Sequence, residues 1–159
     1  MAARTSMGMW LASSHRTPEQ PWHEWAADGV AVLPTGSAFD AVRIPAVIVH
    51  AAVESADADT VGIALAERLD GPVIHDARGR NYYALVRPRV RIDLEPTSPG
   101  VELLPAQTHL GVPAVERCEN TPVTPIYWAV PGNRPGHCDA AAVALLVRVG
   151  AARLADAVT

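Results

Sequence analysis

Fourteen prolines and eleven glycines punctuate this 159-residue chain. Between them the apolar periodicity switches back and forth between that of a helix and that of a strand, and the order of switching constrains the fold. Residues 18–29 read as a first helix. Thr17 suits the N-cap, Pro18 the first helical position and Gly29 the stop, with Trp22 and Trp25 three apart on one face. Residues 30–33 read as a strand turned by Pro34 and Gly36, and residues 39–44 as a second strand that Pro45 ends.

Residues 46–69 read as helical in two pieces, broken near Asp57 and Asp59, with Thr60 capping the second. Gly71 and Pro72 stop it. Residues 73–75 and 82–86 flank a turn-rich stretch and predict a β-hairpin. Residues 87–99 are interrupted by proline and predict a loop or edge strand. Residues 101–104 and 108–112 predict a strand pair, residues 126–130 one more strand, and residues 131–136 a loop. Asp139 caps a final helix running from Ala140 to the region of Ala157. Val143, Leu146, Val147 and Leu154 share one of its faces, and Arg148 and Arg153 suit its polar side. Helix, strands, helix, hairpin strands and helix, in that order, give an α+β fold with a mostly antiparallel sheet.

Composition narrows the class further. With 19% charged residues and a net charge of −4, the chain is not of the disordered kind. Its 13 arginines and no lysine, with 28 alanines and 19 valines, read as the imprint of GC-rich codons rather than of a function. No run approaches the ~18 apolar residues of a membrane span, so no membrane partner is expected. The apolar stretch after Met7 ends at Ser13, too early for a secretory leader. The expectation is a disordered leader over residues 1–9, one domain over residues 10–159 and a cytoplasmic location. Cys118 and Cys138 form no CxxC and read as two reduced thiols.

The densest charge lies in residues 78–91, which hold Arg78, Arg80, Arg87, Arg89 and Arg91 and no acid. In an extended chain Arg87, Arg89 and Arg91 would share a face at a spacing of about 6.6 Å. With Tyr82 and Tyr83 beside them they suggest a groove for single-stranded nucleic acid, charges for phosphates and rings for bases. The structural alternative is a solvated edge strand that charge protects from aggregation. His109, Cys118, His137 and Cys138 lack the short spacings of a zinc site. Gly36-Ser37 lacks the nucleophile elbow, and no phosphate-cradling glycine motif is present.

Three segments, taken in order, resemble the N-terminal domain of bifunctional DNA primase–polymerases. They are Leu33-Pro-Thr-Gly36-Ser-Ala-Phe39-Asp40-Ala-Val42, Arg78-Gly79-Arg80-Asn81-Tyr82-Tyr83, and Gly100-Val101-Glu102-Leu103 followed by Thr108-His-Leu-Gly-Val-Pro113. The opening Trp10-Leu-Ala-Ser and the helix with Trp25 look like small single-domain relatives in high-GC bacteria. The resemblance implies an RRM-like sheet with flanking helices. It also implies acids on two strands that bind divalent metal ions, and a histidine that contacts the nucleotide.

Here that pattern is degenerate. Asp40 stands for one acid, Val42 replaces the second, Glu102 stands for the third and Asn81 replaces the histidine. The pair Asp40 and Glu102 would hold at most one Mg²⁺ or Mn²⁺, as metal ligands and, in an active enzyme, as the catalytic acids. His109 would restore the nucleotide contact only in another hairpin register. The expectation is a catalytically degenerate domain that keeps weak affinity for a nucleotide or single-stranded nucleic acid through Arg80, Asn81, Tyr82, Arg87, Arg89, Arg91 and His109. The alternatives are a protein-interaction or regulatory module anchored by exposed Trp10, Trp22 or Trp25, and a metal-dependent nucleotidyltransferase with an atypical site.

Overall fold

A computed structural model describes residues 4–94, 98–132 and 135–158. Its centre is a five-stranded sheet, every pairing antiparallel, built from β2 (Asp40–Pro45), β3 (Val73–Asp76), β4 (Asn81–Val86), β5 (Glu102–Leu103) and β7 (Ile126–Val130) in the order β5-β2-β4-β3-β7. The expected α+β class with antiparallel sheets is therefore observed. One face carries α3 (Ala46–Val53), α4 (Ala58–Leu69) and α5 (Ala140–Val158) over a core that includes Val42, Ile44, Ala84 and Val86. The other face carries a two-stranded ribbon of β1 (Val30–Pro34) and β6 (His109–Pro113), with α1 (Ser6–Ala12) and α2 (Glu19–Asp28), over Ala41, Ile74, Leu85 and Trp128. Successive residues of β2 and β4 thus enter two different cores, because side chains alternate across a strand.

Local chemistry explains the helix limits. Gly29, with φ +74°, ends α2 in the left-handed region that glycine tolerates without strain. Asp57, not Thr60, caps α4: its carboxylate accepts from the Thr60 N–H at 3.0 Å and from the Thr60 hydroxyl at 2.8 Å. Carbonyls near the end of α3 are taken up by arginines, Arg68 reaching the Ala52 oxygen at 3.1 Å and Arg153 the oxygens of Ala51 and Ala52. Gly150 lets α5 lie directly on α3, since a β-carbon there would stand 2.1 Å from the Ile48 carbonyl oxygen. Trp25 and Trp128 are buried and donate their indole N–H groups to carbonyls of the ribbon strand β6 and its exit, Val112 for the first and Pro113 and Ala114 for the second.

Two expectations about chain organisation are corrected. Residues 6–9, expected in a disordered leader, belong to α1. Thr5 caps that helix, and Met7 and Leu11 are buried in the ribbon-side core; residues 1–3 lie outside the described residues. Residues 101–104 and 108–112 do not pair with each other: β5 pairs with β2, and β6 pairs with β1 in the separate ribbon. Parts of the expected segments 87–99 and 131–136, namely residues 95–97 and 133–134, also lie outside the described residues.

Candidate functional site

Three consecutive residues, where the β1–β2 connection enters β2, organise a cleft at one end of the sheet's inner strands. The Ala38 carbonyl accepts from His137 Nε2 at 3.0 Å. The Phe39 ring meets Trp10 at a centroid distance of 6.2 Å, and Trp10 in turn packs edge-on against His137 at 5.2 Å. The Asp40 carboxylate accepts from the Arg89 backbone N–H at 2.8 Å, within a turn closed by the Val90 N–H bonding to the Arg87 carbonyl at 3.2 Å. The cleft, about 640 Å³, is lined by Trp10, Arg87, Val90 and His137, with Asp70 and Asp139 on the same wall as the start of α5. That wall is pinned to the sheet. The Cys138 N–H donates to the Leu85 carbonyl at 2.7 Å, and Gly71 lies so close that a β-carbon there would be 2.3 Å from the Cys138 nitrogen.

The arginines do not form an extended ladder. Arg89 has φ +60° and sits in the turn after β4, so the alternation expected of Arg87, Arg89 and Arg91 is broken. All three are exposed, and among the described residues their guanidinium groups have no ion-pair partner. Arg78 and the positive-φ Arg80 lie in the β3–β4 turn, at the opposite end of a six-residue strand and hence about 20 Å away. Asn81 starts β4, and its side-chain amide donates to the Gly79 carbonyl at 3.1 Å, serving the same turn.

Asp40 and Glu102 do not meet. Asp40 shares the parity of Val42 and Ile44, which face the helices. Glu102 is paired with Arg43, on the opposite face, and forms an ion pair with it at 3.3 Å. Opposite faces and three residues of strand separate the two carboxylates, so they do not fit a shared Mg²⁺ or Mn²⁺. His109, exposed on β6, belongs to the ribbon and is not brought beside Asn81. Among the described residues no group of three or more His, Cys, Asp or Glu side chains is arranged to hold a metal ion.

Tyr82 is not a stacking platform for a ligand either. It is 2% exposed and lies within a cluster that sequence reasoning missed. Its hydroxyl and His50 Nε2 are 2.9 Å apart, its ring stacks on His75 at 4.0 Å, and His75 Nδ1 is 2.7 Å from the Tyr127 hydroxyl. Burial pushes the His75 imidazole down to about 4 and raises the Tyr82 phenol. The available signal was the pair Tyr82-Tyr83 itself: adjacent strand residues face opposite ways, so a strand covered on both sides must bury one of them.

The tryptophans expected as partner anchors are engaged within the molecule. Trp25 is buried, and Trp22 is half-buried, packed edge-on against Trp25 at 5.0 Å and under the Arg4 guanidinium at 4.7 Å. Among the described residues no helix is long and apolar enough to cross a membrane. What the fold and cleft define is an α+β protein with a two-sided antiparallel sheet and an arginine-bearing cleft at the ends of its inner strands. No protein-family model, curated protein or solved structure matches the chain.

Proposed function

We propose that this chain is a primase–polymerase-like domain that binds a nucleotide in the Trp10–Arg87–His137 cleft and has lost two-metal catalysis. The observation that carries the reading is that an exposed arginine without an ion-pair partner among the described residues and a half-buried indole line one cleft of nucleotide-accommodating size. Arg87, with Arg89 and Arg91 on the same turn and loop, supplies charge for phosphates. Trp10 supplies a face or edge for a base. Asp70 and Asp139 oppose phosphate on their side of the cleft and suit the N–H donors of a base, which orients the ligand with its phosphates toward the turn. The separation of Asp40 from Glu102 favours binding over nucleotidyl transfer.

Calorimetric titration with ATP at low salt tests the reading. Saturable binding that Arg87→Ala weakens about tenfold is expected, the loss of one charge-assisted contact. Absence of saturable binding at millimolar ATP, or binding indifferent to Arg87→Ala, would overturn it. Binding of a single-stranded oligonucleotide but not of ATP would move the ligand from a free nucleotide to a strand.

A further inference from the structure

Asp40 is 6% exposed, and only one of its two carboxylate oxygens has a hydrogen-bond partner: Oδ2 takes the Arg89 N–H, while Oδ1 is buried without one among the described residues. A buried carboxylate is costly to keep, so its place needs a physical reason. The bond it does make supplies one. Arg89 is held at φ +60°, a left-handed conformation in which the β-carbon crowds the following carbonyl oxygen, so a residue with a side chain adopts it only under strain. Among the described residues the turn around it has a single backbone bond, from the Val90 N–H to the Arg87 carbonyl.

We infer that Asp40 is a positioning residue, a side-chain acceptor that clamps the Arg87–Val90 turn and so holds Arg87 in the cleft, and not a ligand for a divalent cation. This rests on the nucleotide-binding reading for its functional consequence but not for its geometry. Asparagine can keep an oxygen on the Arg89 N–H, with its amide nitrogen in the place of the unpartnered Oδ1; alanine cannot.

The test compares Asp40→Asn and Asp40→Ala by hydrogen exchange of the Arg89 amide and by ATP titration with and without Mn²⁺. Asp40→Ala should speed Arg89 exchange and weaken ATP binding about tenfold, whereas Asp40→Asn should stay within about twofold of the parent in both, with or without Mn²⁺. Arg89 exchange unchanged in a folded Asp40→Ala protein would overturn the clamp. Mn²⁺ that tightens ATP binding to the parent but not to Asp40→Asn would make Asp40 a metal ligand instead. If ATP binds none of the proteins, the cleft reading fails alone, and the exchange data still decide the role of Asp40.

Discussion

The imidazole of His75 lies flat on the ring of Tyr82, their centroids 4.0 Å apart and their planes 2° from parallel. A protonated ring is disfavoured there, first by burial and then by the nearby His50, so the folded protein holds His75 neutral until the pH nears 4. The unfolded chain takes up that proton as the pH falls through 6.5, so it binds more protons than the folded chain between 6.5 and 4. Stability is therefore full above 6.5 and declines toward 4. Urea midpoints measured across this window should fall with pH, and His75→Gln should flatten the decline. An unchanged pH profile in that variant would place the sensitivity elsewhere.

The two ends of β4 should differ in their effect on a phosphate-bearing ligand. Replacing Arg87, Arg89 and Arg91 with alanine should weaken ATP binding and lower the slope of log affinity against log salt, since fewer ion contacts form. The pair Arg78→Ala and Arg80→Gly, at the far end of the strand, should leave both unchanged; glycine suits the φ of +60° at position 80. Equal losses from the two sets would point to a diffuse charge effect rather than to the cleft.

Gly150→Ala sets two effects against each other. Alanine favours the helix by about 1 kcal/mol. The new β-carbon would lie 2.1 Å from the carbonyl oxygen of Ile48, a backbone atom that cannot turn aside, and overpacking of this kind costs about 1–3 kcal/mol. The clash should win, lowering the urea midpoint with no change in its slope; a stabilised variant would show that α3 and α5 separate freely.

The two thiols should be distinguishable. Cys138 is buried and bonded to the Pro72 carbonyl, and burial pushes its thiol up to about 12, so it is present almost wholly as the unreactive thiol. Cys118 is exposed, though burial of its surroundings and the carboxylates of Glu116 and Glu119 also raise it. A disulfide reagent at pH 8 should label one thiol per native chain, slowly, and the second only in denaturant. Rapid labelling of both would mean that the segment holding Cys138 opens readily.

How much of this could be read from the chain follows from how local each determinant is. The stop at Gly29, the break between α3 and α4 and the cap at Asp139 depend on residues a few positions apart, and they appear where the sequence places them. Strand partnership is not local. β5 and β6 read as mates because they are close in sequence, yet each finds an earlier strand, β2 and β1 respectively. The arginine alternation failed for a similar reason: the positive φ of Arg89 depends on a carboxylate 49 residues away. Trp10 and His137 carried no motif that linked them, and only the fold of the β1–β2 connection brings them together.

That connection has a further consequence. Ala38, Phe39 and Asp40 each hold a different wall of the cleft, and being consecutive they cannot be shifted one at a time. Deleting a single residue between Gly36 and Asp40 would disturb these contacts together, because the link is short and held at both ends, by the Gly36 N–H bonded to the Phe39 carbonyl and by the pairing of Asp40 with Val86. The number of residues in this short link is thus a determinant of the cleft in its own right, and a change of length there would do what no single substitution in the lining can.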